Sequence, residues 1–198
     1  MRWLPLWLLA GCASVASIAD PPLGQLARWQ SASPAEIAAE PLDCPPGHVA
    51  CPPLYSRKAE ACMSLAMGRR AAGAACPPVA DFLRCAADSY AAARSLSPSQ
   101  RLADGEAQAR LCLAEHATPG DARSDLALAA RAAAEAPPER AALLGARAAL
   151  AATRPGAGTA GERCAALRAG LRLAPADSRE AADLARRRAT LPECGDHP

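Results

Sequence analysis

Aromatic residues make up only 3% of this 198-residue chain. Past the first few residues they are Trp29, Tyr55, Phe82 and Tyr90, too few for the stacking platforms that bind single-stranded nucleic acid. A large excess of one sign of charge is missing as well. The formal net charge is +2, too small to steer nucleic acid or acidic lipid towards the protein. Valine, isoleucine and threonine are rare, and strands prefer β-branched and aromatic residues. No apolar run reaches the roughly 20 residues that cross a bilayer.

The signatures of chemistry are missing too. There is no G-x-S-x-G and no H-E-x-x-H. Zinc sites use cysteines two to four residues apart, whereas the nearest pairs here are Cys44 with Cys51 and Cys76 with Cys85. Haem attachment through C-x-x-C-H is absent. Of the three histidines, His48 lies between two cysteines, His116 near a helix end and His197 in the tail, each without a partner in sequence. Gly156 to Gly161 matches G-x-G-x-x-G, but a dinucleotide site needs a strand before it, and Ala141 to Thr153 is an alanine–leucine helix. Arg69-Arg70 and Arg186-Arg187-Arg188 read as solvated helix ends. No catalytic residue, cofactor or metal is expected, and the chain reads as non-enzymatic.

Alanine, the best helix former, is abundant, so the fold should be all-α. Helices are expected near 24–39 (broken at Pro34), 56–70, 79–95, 98–116, 121–134, 138–153, 160–173 and 177–190. Ser33-Pro34-Ala35-Glu36, Ser97-Pro98-Ser99-Gln100 and Thr159-Ala160-Gly161-Glu162 have the form of capping boxes, and Asp177-Ser178-Arg179-Glu180 is a close variant. Pro77-Pro78 and Pro137-Pro138 mark two more starts. Residues 20–28 and 42–53 are rich in proline. The first reads as a tether and the second, holding Cys44 and Cys51, as a stapled loop.

At the N-terminus, Arg2 precedes the apolar run Trp3 to Leu9 and then Leu9-Ala10-Gly11-Cys12. This resembles a bacterial lipoprotein signal peptide with its lipobox. The resemblance implies cleavage of residues 1–11, a lipid (palmitate among its chains) on Cys12 and, with Ala13 in place of an aspartate, an outer-membrane address. Ser17-Ile18-Ala19 offers the alternative of an ordinary secretory cut after Ala19. Either way Cys12 leaves the count of nine cysteines, and the remaining eight can pair in an oxidising compartment. The chain then divides into a signal (1–11), a lipid-anchored tether with a short helix and Cys loop (12–55), a helical domain (56–194) and a tail (195–198).

Pro98, Pro137 and Pro175 recur 39 and 38 residues apart, each between two helices. Ala86, Tyr90, Ala93 and Pro98 have the spacing of the second helix of a tetratricopeptide repeat. Ala132, Leu167 and Gly170 occupy equivalent positions, with Asp125 and Arg163 replacing the first small residue and Ala129 replacing the bulky one. The stretch 56–190 resembles that family, which implies a short right-handed solenoid of about three helix pairs with a C-terminal capping helix. The alternative is a generic disulfide-linked bundle.

Antiparallel neighbours bring together residues equally far from their turn. About the turn at Ser97 this pairs Cys85 with Cys112, and about the turn near Ala176 it pairs Cys164 with Cys194. Cys62 could instead meet Cys85 across the loop near Gly73. Cys44, Cys51, Cys62 and Cys76 are left unordered. The function expected is that of a lipid-anchored scaffold or assembly factor binding a protein or peptide in the envelope. The alternative is a structural surface lipoprotein without a ligand. The expected partners are the membrane, through Cys12, and a protein, but not nucleic acid.

Overall fold

The computed structural model describes residues 20–191 and Cys194; Cys12, Ala13, Ala19 and His197 lie outside them. The described residues form nine helices and no strand: α1 Pro21–Arg28, α2 Pro34–Ala39, α3 Cys51–Met67, α4 Ala80–Leu96, α5 Gln100–His116, α6 Pro119–Glu135, α7 Pro138–Ala152, α8 Ala160–Leu173 and α9 Arg179–Ala189.

Caps and prolines set most of the boundaries. Ser33 with Glu36 and Thr159 with Glu162 close reciprocal capping boxes. The box expected at Ser97 shifts by two residues: Ser97 ends α4, and the Ser99 hydroxyl accepts the Leu102 N–H to open α5. In the same way Ser178, not Asp177, caps α9. Proline starts α1, α2, α6 and α7 and stands second in α3. In a first turn its missing N–H has no intrahelical partner to lose.

That rule corrects the expected tether. Residues 21–28 form α1, capped by Asp20, and Pro52-Pro53 lie inside the first turn of α3, which starts at Cys51 rather than residue 56. The N-terminal segment packs against α3 around Trp29, which is 1% exposed and clusters with Ile37, Ala50, Leu54 and Ala61. Trp29 Nε1–H donates to Glu40 at 2.6 Å, and that bond holds the Glu40 carboxyl below its ordinary pKa. Arg57 donates to the Trp29 carbonyl, and Lys58, the chain's single lysine, donates to that of Glu40. Among the described residues the helical body therefore already includes Asp20 and α1, ahead of residue 56.

Each helix from α3 to α8 packs on the next, and α9 packs on α8. Beyond neighbours, α5 touches α7 and α7 touches α9. The repeating prolines fall between α4 and α5, α6 and α7, and α8 and α9, so the 38–39-residue period corresponds to one helix pair. Within it Ala86, Tyr90 and Ala93 are buried, as are Ala129, Ala132 and Leu167. Asp125 is buried too, neutralised by Arg110 at 3.0 Å.

Four disulfides join Cys44 to Cys51, Cys62 to Cys85, Cys76 to Cys112, and Cys164 to Cys194. The expected Cys85–Cys112 bridge is absent, for a geometric reason. Tyr90 faces α5, where its ring lies against Gly105. At 3.6 residues per turn, Cys85 points about 140° away from Tyr90, towards Cys62 on α3. Cys112, two turns after Gly105, keeps the face of α5 turned to α4 and meets Cys76 on the 68–79 connection. Equal height from a turn is necessary for a bridge, but the two cysteines must also share a face.

The Tyr90–Gly105 contact yields a test. Burial pushes the Tyr90 phenol up to about 12, so at neutral pH it is an uncharged core residue. A Cβ at Gly105 would lie 2.6 Å from the ring. Glycine to alanine within a helix normally stabilises by roughly 0.5–1 kcal/mol. Here overpacking, costing about 1–3 kcal/mol, wins, so Gly105→Ala should lower the urea midpoint. A raised midpoint would mean that the ring moves aside freely.

Candidate binding groove

A groove of about 730 Å³ has α7 as floor and α6 and α8 as walls. It exists because α6 and α8 both pack on α7 but make no comparable contact with each other. Alanine makes it smooth. Ala127, Ala130 and Ala134 line it from α6 at helical spacing, and Ala142, Gly145 and Ala149 do so from α7. On α8, Ala166 and Ala169 continue the lining to Leu173, which is exposed. Residues three and four apart share a helix face, so each helix contributes one stripe of small side chains. Gly145 lets Leu173 lie down at one end, since a Cβ there would sit 3.1 Å from its Cδ1.

The opposite end is polar. Arg123 from α6 and Glu162 from α8 face the groove there. Glu162 is held by its capping box: Oε2 accepts the Thr159 N–H at 2.7 Å. That hydrogen bond, helped by the Arg123 charge, keeps the carboxyl below its usual range. Gly156 to Gly161, the phosphate-loop look-alike, follows helix α7, and Thr159 within it is an N-cap. Its Ala157 lines the groove mouth.

The groove is lined almost entirely by small apolar side chains. Arg123 and Glu162 are its only charged lining residues, and one is committed to a helix cap. Among the described residues no three His, Cys, Asp or Glu side chains gather as a metal site, and no helix is long and apolar enough to cross a membrane. A second cavity of about 330 Å³ lies between the end of α7 and α9, lined by Leu150, Arg154, Asp183, Arg186, Arg187 and Thr190. There Asp183 is paired with both Arg179 and Arg186.

An ionic lattice braces the groove's supporting helices. Arg94 on α4 binds Glu106 on α5 at 2.9 Å and Glu135 at the end of α6 at 2.7 Å. Arg110 on α5 reaches Asp88 and Asp125 on α4 and α6, and Arg140 on α7 reaches Asp104 on α5. His48 also finds a partner. Its Nδ1 accepts the Ala50 N–H, which leaves Nε2 to donate to Asp20 at 3.0 Å. His116 ends α5, where a cation is favoured by the helix dipole.

Of the residues singled out in the sequence, the eight pairing cysteines act as staples, and none of them lines the groove. The groove itself carries no sequence motif. Its one advance sign is the abundance of alanine along α6, α7 and α8, on buried faces of α6 and α7 and on exposed or half-buried faces of all three. No known protein family, no curated protein and no solved structure matches this chain.

Proposed function

We propose that this protein is an exported, lipid-anchored, non-enzymatic scaffold of the bacterial outer membrane, built as a short tetratricopeptide-like solenoid, and that its alanine groove receives a helix from a protein partner. The observation that carries this reading is the groove. Helix-in-groove recognition lays an apolar helix face into an apolar channel, and walls of alanine let the guest backbone approach closely. A guest with small or apolar residues at helical spacing and a charged residue at one end, facing Arg123 or Glu162, would match it. The sparse polar lining favours binding over catalysis. A continuous groove also favours a ligand-binding role over a purely structural one, which would need only scattered apolar surface residues. The four disulfides suit an oxidising compartment.

The test is capture of the full, lipidated protein from solubilised envelopes, compared with two variants. Ala127→Arg/Ala130→Arg fills the groove from α6 at exposed positions and should abolish recovery of the partner. Ala165→Arg, exposed on α8 outside the groove, should leave it intact. Recovery of the same proteins by all three, or no specific protein by any, would sink the reading. Mass spectrometry of the mature N-terminus decides the anchor separately: an acylated Cys12 supports it, and a chain starting at Asp20 replaces it with secretion.

A further inference from the structure

We propose that the edge formed by the start of α1 and the Cys44–Cys51 loop lies against the membrane that holds Cys12. This rests on the lipid-anchor reading and goes beyond it by fixing which surface of the body meets lipid.

The first argument is reach. Asp20 caps the first described helix, so only residues 13–19 lie between that helix cap and Cys12. A chain extends at most about 3.3–3.6 Å per residue, so this link spans less than roughly 30 Å. With residues 20–55 as a tether, the body could stand far from the lipid; with seven residues it cannot.

The second argument is what lies at the point of attachment. Asp20 is bonded to His48 at 3.0 Å, which fixes the disulfide loop beside the first turn of α1. Val49, next to His48, is 78% exposed, and Leu23, whose N–H the Asp20 carboxylate accepts, is 41% exposed. These are two of the four large apolar side chains exposed in the described structure. Pro21, Pro45, Pro46 and Gly47 are exposed around them. From Cys44 to Ser56 there is no Asp, Glu, Lys or Arg. Of the nearby charges, Asp20 is bonded to His48 and the Leu23 N–H and Arg28 to Glu40 at 2.8 Å, while Asp43, just outside the loop, is exposed. Exposed apolar side chains in a loop held rigid by a disulfide, with no Asp, Glu, Lys or Arg between its two cysteines, suit the headgroup–acyl boundary. A protein partner is less favoured here, since the bilayer is already within reach.

The experiment uses lipidated full-length protein in phosphatidylethanolamine/phosphatidylglycerol vesicles. A single environment-sensitive label is placed at Val49→Cys, at Leu23→Cys or, away from this edge, at Arg154→Cys. The other eight cysteines are disulfide-bonded and do not compete for the label. Labels at 49 and 23 should shift to the blue and lose intensity to a lipid-borne quencher, while the label at 154 stays in water. Circular dichroism and mass measurement confirm that each variant is folded and acylated. If acylated protein keeps labels 49 and 23 as water-exposed as 154, this proposal is overturned while the anchor stands. If Cys12 carries no lipid, both fall.

Discussion

Replacing Cys76 and Cys112 together by alanine is expected to lower the unfolding free energy by about 4 kcal/mol. In the chain-entropy picture the loss of a crosslink scales with the loop it closes, and this bridge spans 36 residues, the longest of the four. Cys62–Cys85, spanning 23, should cost about 3.5 kcal/mol, and Cys44–Cys51, spanning 7, about 2.5. The first two rings overlap between residues 76 and 85, so removing both should cost less than the sum. Domains of this size are stable by only about 5–15 kcal/mol, so either loss is a large fraction of the total. Both bridges sit in one cluster, where Cys62, Cys76 and Cys112 are buried against Leu83, Ala86 and Tyr90. Urea unfolding of each double variant, without reductant, reads these costs directly. A change under about 1 kcal/mol for Cys76→Ala/Cys112→Ala would show that the bridge constrains little. Non-reducing peptide mapping should recover Cys62 joined to Cys85 and Cys76 joined to Cys112. A peptide joining Cys85 to Cys112 would contradict the packing of α4 between α3 and α5.

The same residues show how far the sequence can be read. Helix positions were legible because caps and prolines act locally: Ser33, Thr159, Pro138 and the 38–39-residue proline period each constrain only their own turn. The pairing of Cys164 with Cys194, as expected from equal height, needed nothing more, because α9 follows α8 directly and the two pack together. Cys85 had two candidates at similar height. The choice between them depended on which side of α4 faced which neighbour, and that is set by Tyr90 seating on Gly105, a tertiary contact. The proline-rich start misled for a related reason. The proline content of residues 20–28 and 42–53 reads as tether and loop, yet Asp20 before Pro21-Pro22 and Cys51 before Pro52-Pro53 both begin helices, as Pro137-Pro138 does.

The groove was illegible for a different reason. Sequence reading depends on contrast between apolar and polar positions. In α6 and α7 alanine occupies the core, as at Ala129, Ala132 and Ala146, and also the groove, as at Ala127, Ala130 and Ala142. One residue type serves both environments, so periodicity cannot separate a buried face from a binding face. Only the packing of α6 and α8 on either side of α7 does so.

Arg94 carries the other large effect. Its partner Glu106 has a side chain only 2% exposed, whereas Arg94 is 23% exposed and Glu135 55%. Removing one member of a buried ion pair strands the other without compensation, at a cost of about 3–5 kcal/mol. Arg94→Ala should therefore be severe, because Glu106 stays buried between α4 and α5 with its main partner gone. Glu106→Ala should cost less: Arg94 keeps Glu135 and reaches water. The paired change Arg94→Met/Glu106→Leu should recover most of the stability, since apolar groups of similar size can replace a buried pair. A double-mutant cycle in urea, using Arg94→Ala, Glu106→Ala and both, measures the coupling. Equal costs for the two single variants would mean that Glu106 reaches solvent when unpaired. The consequence extends to the groove. Glu135 is the last residue of α6, directly after groove residues Ala133 and Ala134, so Arg94 ties the end of one groove wall to the core of α4 and α5. Glu135→Ala, at an exposed position, should cost under about 1 kcal/mol, leaving the fold intact. It should nonetheless weaken partner capture if the wall must be held at that end. Arg94 thus joins the stability of the body to the shape of the surface proposed to bind.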